Sequence, residues 1–152
     1  MTADCTKFFH EATTDFINDS YNSSVSMIGC GCETILKQLD DALIKVYLKD
    51  NNSGSFLSDI DTKPFAKQRL IDTENYLVSL GNRLNRINIS KNNINEHLNF
   101  FNIIRQYRNN ADHPTLTNWN EGNVLCIISL VAIYLRKILD LIDKINQNYL
   151  LI

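Results

Sequence analysis

Six residues, Ile28, Cys32, Ile35, Leu39, Leu43 and Val46, follow one another at steps of three and four. On a helix of 3.6 residues per turn they form one apolar stripe, and the period-two alternation that marks a strand is missing from the segment. A stripe of that length must be buried against other helices. The same period predicts a first helix from about Asp4 to Asn18, with Phe8, Phe9, Ala12 and Phe16 on one side. The stripe itself belongs to a second helix, from the Ser20–Ser26 region to about Lys49, which the turn formers from Asp50 to Ser55 close. Pro64 suits the first turn of a third helix, capped by Asp61 or Thr62, that carries Leu70, Leu77, Leu80 and Leu84. Ser90 caps a fourth with Ile94, Leu98, Phe101 and Ile104, and a last, very apolar helix runs from about Trp119 to Gln147.

These elements predict an all-α fold, an up-and-down antiparallel bundle of four to five helices in one domain over residues 1–152. A chain of this length can bury a core of its own. Within the last helix, the run Val124 to Leu135 is broken by Ser129 and stopped by Arg136. That falls short of the roughly 20 apolar residues a membrane span needs, so it reads as a helix at the centre of the bundle, and no membrane partner is expected. Gly29 and Gly31 stand inside the second helix, where each costs about 1 kcal/mol relative to alanine. Close approach of a neighbouring helix, or of a second subunit, explains them best.

The four cysteines do not read as a disulfide framework. The start, Met1-Thr2-Ala3-Asp4, lacks the basic and then apolar regions of a secretory leader, which predicts a reducing, cytoplasmic setting. Cys30 and Cys32 have one residue between them, not the two of zinc knuckles, so Cys5, Cys30, Cys32 and Cys126 read as small buried apolar side chains. The 20 asparagines read as a bias in base composition and not as a functional feature.

Charge is unevenly placed. The formal net charge of −2 argues against a general nucleic-acid binder. Residues 1–60 hold four lysines and nine acids, whereas residues 61–113 hold eight basic residues and five acids. This basic part contains Lys63, Lys67, Arg69, Arg83, Arg86, Lys91 and Arg105, a set that can guide a polyanion by local charge. They can equally be ordinary solvated helix faces.

The basic part ends in Arg108-Asn109-Asn110-Ala111-Asp112-His113-Pro114. Arginine keeps its charge and forks onto phosphate oxygens, while histidine exchanges protons near neutral pH, and metal-free cleavage of a phosphodiester needs both. On a continuous helix the two side chains would lie roughly 140° apart. Pro114 disfavours the α conformation at His113, so the helix should end near Asn110 to Asp112 and let His113 fold back. Asp112 reads as solvent-facing or as a cap for that turn. The helix C-terminus favours the charged imidazole, and the charges of Arg108 and Arg105 oppose it. The same run also fits a satisfied helix end without chemistry. His10 and His97 have no such company and read as surface or packing residues.

Arg108, the polar Asn109 and His113 on a late helix of a small helical chain resemble the signature of the HEPN superfamily (higher eukaryotes and prokaryotes nucleotide-binding domains). The stretch Cys30 to Lys37 resembles the Glu-x-x-x-Lys element of some members, matched here by Glu33 and Lys37, although the pair can be no more than an i,i+4 ion pair. Small residues at Gly29 to Cys32 depart from relatives that carry a basic side chain there. The resemblance implies an endoribonuclease in which Arg108, His113 and Asn109 are catalytic, and Arg105, Glu33 and Lys37 contact RNA. Asn109 would hold the histidine tautomer or bond a phosphate oxygen. It implies no metal and no cofactor, a homodimer whose two motifs line one cleft, and a toxin or antiphage setting. The alternatives are a non-catalytic module that binds RNA, a nucleotide or a partner such as a nucleotidyltransferase-like antitoxin, and a helical scaffold.

Overall fold

A computed structural model of the chain describes residues 2–50, 66–113 and 118–152. Every regular element among them is helical: α1 (Ala3–Ile17), α2 (Tyr21–Asp50), α3 (Ala66–Ser79), α4 (Gly81–Leu84), α5 (Lys91–Ala111) and α6 (Glu121–Asn148), with a 3-10 turn over Asn85–Ile87. All six residues of the α2 stripe are buried, as are Leu70, Leu77, Leu80 and Leu84 and the α5 residues Ile94, Leu98, Phe101 and Ile104. The expected helix start at Pro64, with Asp61 or Thr62 as cap, lies outside the described residues. So do all the turn formers after Asp50.

The third predicted helix is in fact two. At Leu80 the backbone leaves the helical path (ψ −2°), and its N–H is shared between the carbonyls of Tyr76 at 3.1 Å and Leu77 at 3.2 Å. Gly81, a poor helix former, follows. The turn after α4 ends at Asn88, whose φ of 58° is left-handed, a conformation asparagine tolerates better than most residues. Asn120 caps α6, its Oδ1 accepting the N–H of Asn123 at 3.0 Å.

Packing divides the chain into two compact units, Met1–Ile35 with Phe100–Arg136 and Leu36–Asn99 with Lys137–Ile152. In the first unit Cys5, Ala12, Val25, Ile28, Val124, Ile127 and Val131 are buried, and the buried Ser24 hydroxyl donates to the Ala12 carbonyl at 2.8 Å. Phe100 of α5 stacks on Tyr134 of α6 with centroids 4.8 Å apart. The run Val124 to Leu135 is not enclosed as its composition suggests. Leu125, Leu130 and Ile133 are 45%, 42% and 55% exposed, and Cys126 is exposed too, contrary to the expectation of a buried thiol. The unit covers only the α6 face that carries Val124, Ile127 and Val131. Beside that face an apolar cleft of about 250 Å³ opens among Phe9, Ala12, Ile28, Val131 and Leu135. No helix among the described residues is long and apolar enough to cross a membrane.

The second unit is organised around a buried charge. Asp40 is fully buried on α2, and Arg69 of α3 reaches its Oδ2 through Nη2 at 3.0 Å and Nε at 3.2 Å. The Thr73 hydroxyl, one turn further along α3, donates to Oδ1 at 2.5 Å. Burial pushes the Asp40 carboxyl above its ordinary range, against the pull of the Thr73 hydrogen bond and the Arg69 charge. Arg69 is therefore tied up by an internal partner, unlike the solvated or polyanion-guiding cation its sequence position suggests. His97 is buried here beside the Glu96–Lys137 ion pair, and burial lowers its pKa; His10, in the first unit, is exposed.

Removing one partner of a buried pair strands the other charge. Arg69→Ala should cost about 3 kcal/mol in urea unfolding at neutral pH, more than Asp40→Asn, because the charge left behind in the second case is the partly exposed Arg69 and not the fully buried Asp40. Loss of the Arg69 charge raises the Asp40 carboxyl further still, so the deficit of Arg69→Ala should shrink as pH falls from the variant's Asp40 pKa towards that of the wild type.

Candidate functional site

The first unit builds its most polar contact on one face of α2. Ser26, Gly29 and Glu33 recur at i, i+3 and i+7, so they share a side of the helix, and α5 lies against that side. A Cβ on Gly29 would lie 2.6 Å from Cβ, 2.8 Å from Cγ and 2.7 Å from Cδ of Arg108. Glycine is required because the aliphatic stem of the arginine occupies that space. One turn along α2, the Glu33 carboxylate receives the guanidinium through an ion pair with Nη1. In the other direction, the Ser26 hydroxyl donates to Asp112 Oδ1 at 2.7 Å, and Asp112 Oδ2 lies 3.8 Å from Arg108 Nε. Position 26 meets 112 and 33 meets 108, so these two segments run in opposite directions.

The second glycine answers a different neighbour. A Cβ on Gly31 would meet the Phe9 ring at 2.9 to 3.1 Å, and the Cys5 thiol of the same helix, α1, points at the Gly31 carbonyl at 3.7 Å. Thus α1 and α5 each approach α2 at a glycine. Both approaches come from within the chain, so the glycines need no second subunit to explain them.

Arg108 is held as a cation. Its partial burial would lower its pKa, but the hydrogen bond and charge of Glu33 outweigh that, and the net direction is upward. Burial pushes the neighbouring Cys30 thiol up, with the Arg108 charge pulling against it and Glu33 and Asp112 adding to the rise. That thiol is no thiolate at neutral pH. Burial raises Cys32 far more strongly.

The helix ends where the sequence places its end. α5 stops at Ala111, the Asp112 N–H closes the last turn on the Arg108 carbonyl at 3.0 Å, and the His113 N–H reaches Asn110 at 3.3 Å. Pro114, to which the expected turn was assigned, lies outside the described residues. Tyr107, next to Arg108, packs edge-on against Trp119 with centroids 5.4 Å apart.

The structure gathers some of the expected site residues and leaves others apart. Arg108 and Glu33 meet, although at i,i+4 spacing Lys37 was the expected partner of Glu33; Lys37 is exposed and forms no ion pair among the described residues. The reason is geometric, since the Gly29 notch delivers the arginine to the carboxylate. His113 and Asn109 are exposed, and neither side chain makes a hydrogen bond to the other or to Arg108. Arg105 is half-buried, with Nη2 on Asn102 Oδ1 at 3.0 Å and a buried Nε that lacks an acceptor among the described residues. The sequence reading does not single out Ser26, and Asp112, expected to face solvent or to cap the turn, is exposed and also links Ser26 to the arginine's surroundings. The shared face of Ser26, Gly29 and Glu33 was the available signal. Of the other expected cations, Arg86 is exposed, while the Lys63, Lys67 and Lys91 side chains lie outside the described residues. Comparison with known proteins finds no matching family model, no matching curated protein and no matching solved structure.

Gly29→Ala tests the notch. Alanine gains up to about 1 kcal/mol of helix propensity, yet its Cβ overlaps three stem carbons, and overpacking of this kind costs about 1 to 3 kcal/mol. A net loss of thermal stability is expected. Adding Arg108→Ala should restore only part of it, because the closest clash is with the Cβ that alanine keeps.

Proposed function

We propose that this chain is a metal-independent endoribonuclease of the HEPN type, its helices packed as an up-and-down antiparallel bundle. The observation that carries the reading is Arg108, a fixed cation seated in a glycine notch near the end of α5, followed five residues later by an exposed histidine. A guanidinium held in that way can neutralise charge that develops on a phosphate, and an exposed imidazole can reach a substrate proton.

In the reaction, His113 takes the proton of a ribose 2′-hydroxyl. The 2′-oxygen attacks the adjacent phosphorus, the 5′-oxygen of the next nucleotide leaves with a proton, and a 2′,3′-cyclic phosphate remains. Arg108 stabilises the crowded phosphorane oxygens, with Arg105 as a further phosphate contact. A general base of this kind is worth about 10²- to 10⁴-fold in rate. The proton for the leaving oxygen comes from a second acid, and a homodimer whose two motifs share one cleft supplies it from the other copy. The uncovered apolar face of α6 is consistent with a second chain. A toxin or antiphage system, with an antitoxin as further partner, is the setting this activity suits.

A non-catalytic module that binds RNA, a nucleotide or a partner protein is the second reading. It is favoured by the separation of His113 and Asn109 from the bonded network of Arg108. Incubation of the wild type, His113→Ala and Arg108→Ala with labelled RNA in EDTA tells the two apart. The enzyme reading expects cyclic phosphate ends from the wild type and a loss of at least about 100-fold in both variants. Binding without cleavage would assign the module instead.

A further inference from the structure

Arg108 does not offer a free charge. One guanidinium faces two carboxylates, Glu33 on Nη1 and Asp112 at 3.8 Å from Nε, and Ser26 fixes the second of these. A phosphate that approaches this corner meets two negative groups and one positive, a balance that only neighbouring cations such as Arg105 can correct.

The arginine is also half-satisfied. Guanidinium groups bind oxyanions best through two parallel N–H bonds, and in Arg108 the Nε–H is buried without a hydrogen-bond acceptor among the described residues, since Asp112 stands too far away. An anion that took the place of Glu33 on Nη1 could use Nη1 and Nη2 together as such a fork. The exchange needs no opening of the core, because the Arg108 and Glu33 side chains are 28% and 37% exposed.

We propose that Glu33 competes with the RNA phosphate for Arg108 and so sets which ligands the site admits. The free protein holds its arginine on the carboxylate. A lone phosphate gains too little to displace it, while an RNA strand whose adjacent phosphates engage Arg105 as well does displace it. This inference rests on the reading of Arg108 as a phosphate-binding residue.

The test is the affinity of the full chain for a fluorescent single-stranded RNA of about 20 nucleotides, titrated over potassium chloride concentration. The variants are Glu33→Gln, Asp112→Asn, Arg108→Ala and the Glu33→Gln/Arg108→Ala pair, each checked for helical content. Glu33→Gln should tighten binding about three- to five-fold, the range expected for a partly exposed ion pair. Asp112→Asn should act in the same direction and less. The effect of Glu33→Gln should vanish in the Arg108→Ala background. If Glu33→Gln leaves affinity unchanged or weakens it while Arg108→Ala loses binding, the competition is wrong and Glu33 only positions an arginine that does bind phosphate. If Arg108→Ala binds RNA as the wild type does, the phosphate-binding reading and the competition fall together.

Discussion

The first unit depends on the contact in which the stem of Arg108 fills the space that a side chain at position 29 would need. A glycine in the middle of a helix lowers its stability, and the loss is accepted because the two backbones can then approach. Everything polar in the site follows from that approach. With the stem fixed, the guanidinium reaches Glu33 one turn away, and Asp112 comes within reach of Ser26 on the other side. Three positions on one face of α2 therefore set the position of the arginine and the charge around it. The apolar half of the same unit, with Phe9 against Gly31, uses the same device for packing alone.

The chain contains a second arginine–carboxylate pair, and the contrast is instructive. Asp40 is fully buried, bonded twice by Arg69 and once by Thr73, and its carboxyl sits above its ordinary pKa because burial outweighs those partners. A pair of that kind ties two helices and has little freedom to exchange. The pair between Arg108 and Glu33 lies nearer the solvent, with one donor unmatched. The same two chemical groups serve as a clamp in one place and as an exchangeable contact in the other. Solvent access and the completeness of the hydrogen bonds make the difference.

Much of the helical framework was legible in the sequence because burial follows the 3.6-residue period. The stripe from Ile28 to Val46 and the leucines from Leu70 to Leu84 are buried as their spacing demands. The break at Leu80 was hidden, since Leu77, Leu80 and Leu84 keep helical spacing straight through it. The exposure of α6 was hidden for the opposite reason. Between Glu121 and Arg136 no charge marks an outward side, so an apolar run reads as enclosed even where the described residues leave half of it uncovered. At the site, the cost of Gly29 foretold a close neighbour without naming it. The choice of Arg108 over Lys37 as the partner of Glu33 is a long-range contact, and local spacing favoured the wrong cation.

If the Gly29 notch delivers Arg108 to Glu33, the two side chains must be energetically coupled in the folded protein. A double-mutant cycle on unfolding free energy, with Glu33→Ala, Arg108→Ala and the double variant, measures that coupling directly. The geometry predicts about 0.5 to 1 kcal/mol of favourable interaction at low ionic strength, as for partly exposed pairs of good geometry, reduced by added salt. A coupling of zero within error, or one in which Lys37→Ala in place of Arg108→Ala gives the larger value, would contradict it.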